Sequence, residues 1–243
     1  MTPEELTKRL HVVCGSNLIA VILHGSAAAG DHAGRRSDYN LLVILDRLGA
    51  EELTALSKPV RAWATRRQSL PLFVSREELT KSSDAFPLEL ADLIDRHHVL
   101  YGEDVIAKLS VSPAHLRVEL EHELKGKLMQ LRARSLLVRH RPRELTELMI
   151  RSLSTFLVLC RGALRLYQPH VPAKKLEALA ALARHVPIQT EVFETISQLK
   201  AGRKLSGVSP ERLFAAYLQA IEVVVEAVDG LPHRTSPQQE AAR

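Results

Sequence analysis

Leu23-His24-Gly25-Ser26 and Ser37-Asp38-Tyr39-Asn40-Leu41-Leu42-Val43 are the two stretches on which the reading of this chain turns. An apolar run from Leu18 to Leu23 ends in Gly-Ser, a spacer of small and basic residues follows, and a second apolar run, Leu41 to Leu45, opens behind Asp38 and Asn40. Both runs have the length and composition of buried β-strands. A glycine closing the first strand lets the backbone come close to a polyphosphate with no Cβ in the way, and the turn offers N–H groups and the Ser26 hydroxyl. Residues i and i+2 of a strand share a face, so Asp38 and Asn40 are expected to project together toward that turn. Two carboxylates so placed hold Mg²⁺ against a triphosphate. Here the second position is an amide, which offers a neutral carbonyl oxygen and one charge less.

Gly-Ser, a spacer, and an acidic pair leading a strand resemble the signature of the nucleotidyltransferase superfamily, the fold of DNA polymerase β and kanamycin nucleotidyltransferase. That signature ends in Asp-x-Asp; this chain has Asp38-Tyr39-Asn40. The resemblance implies that Gly25 and Ser26 hold a nucleoside triphosphate and that Asp38, with Asn40, binds Mg²⁺ at a weakened site. Arg35 and Arg36, in the cationic spacer, are candidate phosphate contacts. The family supplies a third carboxylate from a neighbouring strand, and the next apolar run, Leu70 to Ser75, contains none. Asp46 shares the parity of Asp38 but lies eight residues on, more than about 20 Å along a strand. Glu89 is our choice of third acid, in the segment Phe86 to Leu93, which reads as a strand or as a short helix with Pro87 in its first turn. Catalysis would then rest on Asp38, Asn40 and Glu89. The bland alternative is an ordinary βαβ unit in which Gly-Ser is a plain turn and Asp38 a cap or turn acid.

Two functions follow from this reading. One is transfer of a nucleoside monophosphate to a hydroxyl of a small-molecule or protein acceptor; the other is nucleotide or partner binding by a catalytically degenerate member, which Asn40 favours. In such a family a carboxylate of the helical half acts as general base, and Glu119, Glu121 and Glu123 are available, though each is more simply a solvated helix residue. Loose Arg-spacer-His matches, Arg134 to His140 and Arg165 to His170, also suit a ribonuclease-like module, but 33 basic residues and eleven histidines produce such matches by chance.

The net charge of +5 is modest and spread along the chain, suiting anionic ligands such as triphosphates better than nucleic acid. One Trp and four Tyr offer no stacking platform for single strands. Cys14 and Cys160 lack metal-ligand spacing and read as buried thiols of a cytoplasmic protein. His97-His98 lack an acid at helical ligand spacing and read as flanking a strand. The first residues lack a signal-peptide pattern, and no apolar run approaches the eighteen residues of a membrane span.

Along the chain the expected fold class is α+β: a small mixed-sheet domain over 1–111, an all-α bundle over 112–231, and a disordered polar tail over 232–243. The first half reads as helix Pro3 to Val13, strand Leu18 to Leu23, a short helix and loop, strand Asn40 to Leu45, helix Ala50 to Thr65, strand Leu70 to Ser75, an acidic connection and a strand near His98 to Tyr101. In the second half Leu116, Leu120, Leu124, Leu128 and Leu131 recur at helical spacing, with Glu121–Lys125 and Glu123–Lys127 as i,i+4 pairs. Helices are then expected over Glu144 to Tyr167, Ala173 to Arg184, Gln189 to Leu199 and Pro210 to Val228.

Overall fold

A computed structural model describes residues 1–25, 39–65, 68–82, 84–203 and 207–231. The chain divides into two compact units, Met1–Ser112 and Pro113–Arg243. Ser26, Arg35, Arg36 and Asp38, the short helix expected after Ser26, and the tail from 232 lie outside the described residues.

The first unit opens with α1 (Pro3–Cys14), started by a reciprocal cap: the Glu5 amide donates to Thr2 Oγ1 at 3.2 Å and the Thr2 amide donates to the Glu5 carboxylate at 3.1 Å. Strands β1 (Leu18–His24) and β2 (Asn40–Leu45) follow, then α2 (Ala50–Ala64) and β3 (Leu72–Ser75). Leu70 is 67% exposed, and the strand expected from it begins only at Leu72. The stretch after Ser75, read as a connection, is the helix α3 (Arg76–Lys81), and its Ser75/Glu78 capping box is the signal that the acidic composition masked. Phe86 to Leu93 resolves as helix: α4 (Pro87–Asp95) carries Pro87 in its first turn, where its missing N–H has no intrahelical partner to lose. Strand β4 (His97–Gly102) closes the sheet.

The sheet is mixed, in the order β3-β2-β1-β4, with β1 antiparallel to both neighbours and β3 parallel to β2 through the α2 crossover. Strand parity divides the sheet's side chains between two cores. Val21, Leu41, Val43 and Leu45 pack with Leu6 and Leu10 of α1 and Leu56 and Trp63 of α2. Ala20, Ile22, Leu42 and Ile44 pack with Leu79 of α3, Leu90 and Leu93 of α4, and Ile106. Each fully buried aliphatic side chain contributes about 1.5–3 kcal/mol relative to exposure, so both layers are needed to hold the central strands. Gly102, at φ +80°, lies so close to β1 that a Cβ would stand 1.8 Å from the Ile19 carbonyl oxygen.

The second unit is helical among its described residues: α5 (Pro113–Val138), α6 (Pro142–Leu164), α7 (Lys175–Leu182), α8 (Glu191–Lys200) and α9 (Pro210–Asp229). Helix α6 packs against the other four. The expected leucine stripe of α5 is buried, and Lys125 pairs with Glu121 at 2.7 Å and Lys127 with Glu123 at 3.6 Å. Tyr217 of α9 sits in the core with the rings of Phe156 and Phe193 at 5.9 and 5.3 Å, and burial pushes its phenol pKa up. Cys160 is buried and its thiol pushed up to about 12 by desolvation, whereas Cys14 is only half-buried. Among the described residues no helix is long and apolar enough to cross a membrane.

Candidate functional site

Strand β1 ends where both of its ladders end. Its last rung pairs His24 with Asn40 on one side and with His97 on the other. Directly opposed residues of paired strands share a face, so Asn40, His24 and His97 form a polar row across the end of the sheet. It continues the face that carries Ala20, Ile22, Leu42 and Ile44, the face packed by α3 and α4.

Gly25 turns the chain out of β1 at φ +75°, a conformation that suits glycine. A Cβ built on it would stand 2.8 Å from Asn40 Nδ2, so the Asn40 amide lies against the glycine. Of the residues that the sequence singles out, the structure thus brings Gly25 and Asn40 together.

Tyr39 leads into Asn40 and is held from the β3 side. Its amide donates to Gln68 Oε1 at 3.1 Å, and its ring lies 6.4 Å from that of Trp63. The buried Trp63 indole N–H donates to the Ser69 carbonyl at 2.8 Å, closing the loop that carries Gln68.

Helix α4 supplies the charge beneath the row. Burial pushes the His24 imidazole pKa down, and the negative charge of Asp92 partly opposes this. Glu89, our sequence choice of third acid, lies exposed in the first turn of α4. His97 ties α4 to the sheet: Nδ1 lies 2.9 Å from the Leu93 carbonyl oxygen, and Nε2 lies 3.0 Å from Asp104 Oδ1. The hydrogen bond from His97 holds the Asp104 carboxyl below its usual range. Among the described residues no group of three or more His, Cys, Asp or Glu is arranged to hold a metal ion.

The motif spacing alone does not point to His24, Asp92 or Gln68. Parity with Ala20 and Ile22 was a legible signal for His24, since it extends a covered face beyond the apolar run. Nothing local marks Gln68, whose partner lies 29 residues away in the chain.

No family model matches the chain, and no curated protein matches it significantly in sequence. Among solved structures it is similar to spectinomycin adenyltransferase AAD(9) from Enterococcus faecialis, determined with ATP and spectinomycin. The TM-score is 0.53 at 12% identity, over 90% of this chain and 98% of that one. The likeness is therefore one of fold, and it agrees with the spacing of Gly25-Ser26 and Asp38-Tyr39-Asn40: this chain has the α+β nucleotidyltransferase fold, a small mixed-sheet unit followed by helices.

Proposed function

We propose that the Gly25–Asn40 end of the sheet binds a nucleoside triphosphate with Mg²⁺ and that the protein transfers the nucleoside monophosphate to a hydroxyl of a small-molecule or protein acceptor. One observation carries this reading: Gly25, turning the chain out of β1 at φ +75°, lies directly against the carboxamide of Asn40, whose oxygen is a donor suited to Mg²⁺. The solved neighbour contains ATP and spectinomycin, which supports a nucleotide and a small molecule as partners.

The residues suit Mg²⁺ as a nucleotide-borne ion. Mg²⁺ is held by one or two carboxylates together with substrate phosphates and water, so a full protein cage is not required. In this reading Asp38 would supply the carboxylate and Asn40 a neutral oxygen to hold the ion, and the chemistry Mg²⁺ would supply there is neutralisation of charge on the departing pyrophosphate. Gly25 and Ser26 admit and bind phosphate, and Arg35 and Arg36 add cationic contacts. Of the three α4 carboxylates, Glu89 is the choice for third acid made from the sequence, and Asp92 is the half-buried one whose charge acts on His24.

Asn40 itself favours a second reading, triphosphate binding without transfer. Calorimetric titration with each of the common nucleoside triphosphates, with and without Mg²⁺, combined with an assay for pyrophosphate release in the presence of candidate hydroxyl acceptors, separates the two. Binding with pyrophosphate release supports transfer, and binding without release supports the second reading. No binding of any triphosphate refutes both.

A further inference from the structure

We infer that Gln68 is a positioning residue that sets the Asn40 side chain against Gly25, and that Mg²⁺-linked triphosphate affinity depends on its side-chain carbonyl; this rests on the nucleotide-binding reading above. The parallel ladder between β2 and β3 starts at Leu42 opposite Leu72. Three residues earlier, at Tyr39, that ladder no longer provides an acceptor for the backbone. Continuing the register would bring Ser69 opposite Tyr39, and a parallel rung there would direct the Tyr39 N–H to the backbone carbonyl of the residue before, Gln68. The Gln68 side chain fills the gap: its Oε1 accepts from the Tyr39 amide at 3.1 Å. A backbone N–H can only donate, so this contact also fixes which end of the carboxamide faces it.

The bonded amide belongs to the peptide unit that enters Tyr39, one unit before the one joining Tyr39 to Asn40. Holding its plane, with the Tyr39 ring also set near Trp63, limits the path by which the chain reaches Asn40 one residue on. On the opposite side of β2, Asn40 pairs with His24, the residue before Gly25. Asn40 is thus located from both edges, by β1 through the ladder and by Gln68 one residue upstream. The Gln68 loop is itself anchored by a fully buried tryptophan, 0% exposed, whose ring also packs near that of Tyr39. A side chain tied to so rigid an anchor transmits position and not only stability.

Two variants test this. Gln68→Met keeps the length and removes the acceptor; Gln68→Glu keeps an acceptor oxygen at the same reach. Hydrogen exchange at the Tyr39 amide, thermal unfolding, and ATP affinity with and without Mg²⁺ are measured on the full chain. The expected result is faster Tyr39 exchange in Gln68→Met and a Mg²⁺-dependent ATP affinity reduced roughly threefold to tenfold, the scale of one hydrogen bond. Gln68→Glu should restore both. A lower melting temperature in Gln68→Met with unchanged Mg²⁺-dependent affinity of the folded protein would make Gln68 merely structural and overturn the inference. Unchanged Tyr39 exchange would overturn it as well. Failure of the wild-type chain to bind ATP refutes the nucleotide reading, and this inference with it; wild-type binding matched by Gln68→Met refutes the positioning role alone.

Discussion

Gly25 and Asn40 occupy one another's approach: a methyl group added at position 25 would stand 2.8 Å from the Asn40 side-chain nitrogen, on a backbone already at φ +75°. The clash alone is relieved by turning the Asn40 side chain. The dihedral is not relieved, because an L-residue in this region carries about 1–2 kcal/mol of strain. Gly25→Ala is therefore expected to lower stability by about that amount in denaturant titration, and to weaken triphosphate binding further by displacing Asn40. In the double variant Gly25→Ala/Asn40→Ala the stability loss should persist, since only the contact has been removed. A fully stable Gly25→Ala that binds ATP like wild type would show that the turn is no phosphate cradle.

Asn40→Asp puts a carboxylate at the first residue of β2, two residues after Asp38 in the sequence. Mg²⁺-dependent binding of ATP should tighten, while binding without metal should weaken or stay level because a negative charge has been added near the phosphates. Calorimetry of the two proteins side by side gives the answer. Weaker Mg²⁺-dependent binding in a properly folded variant would remove position 40 from the metal site.

His24 links the site to pH. Burial lowers its folded-state pKa, so between the ordinary histidine value near 6.5 and that lowered value the unfolded chain binds more protons than the folded one. Stability conferred by keeping the ring neutral is then complete above the unfolded value and is lost as pH falls toward the folded one. Urea midpoints measured from pH 7.5 to pH 5.5 should fall for wild type and fall less for His24→Gln. Parallel slopes would mean that His24 titrates no differently in the folded protein.

Gly102 sits where β4 meets the middle strand, and a Cβ there would stand 1.8 Å from a backbone oxygen, which no rotamer change can relieve. Together with its φ of +80°, this makes Gly102→Ala the most damaging single methyl addition we expect in the unit, costing about 2–4 kcal/mol from strain and overpacking combined. Thermal unfolding should show a clear loss. A melting temperature within a degree of wild type would mean that β4 pairs differently from the register described.

The elements legible in the sequence were those whose pattern is local. Leu116, Leu120, Leu124, Leu128 and Leu131 of α5 and Leu213, Phe214, Tyr217, Leu218, Ile221, Val225 and Val228 of α9 declare an apolar stripe by spacing alone, and all are buried but Leu218 and Val225, which are half-buried. The strand pair flanking the Gly-Ser and Asp-x-Asn motifs was visible for the same reason. Less visible were features decided by long-range docking. Glu89 and Asp92 stand three residues apart, and only the way α4 lies on the sheet makes one exposed and sets the other near His24. Leu70 is as apolar as Leu72, yet it precedes the first rung that β2 offers. The Ser75/Glu78 cap was readable in principle, being a local signal at the end of a run too short to show a helical period.

Strand β1 is paired on both sides by strands made later, β2 and then β4, with Val21 opposite Val43 on one edge and Tyr101 on the other. A ladder joining such distant segments carries a loop-closure cost before any rung repays it, and it zips late and slowly. His24, the last rung shared by both ladders, therefore acquires its second neighbour only when the last strand is in place. A chain interrupted before residue 97 has the Gly25 turn and the Asn40 strand but not the strand that completes their row. Competence to bind at this corner of the sheet should consequently arrive as the final event of folding in this unit, in one step with β4.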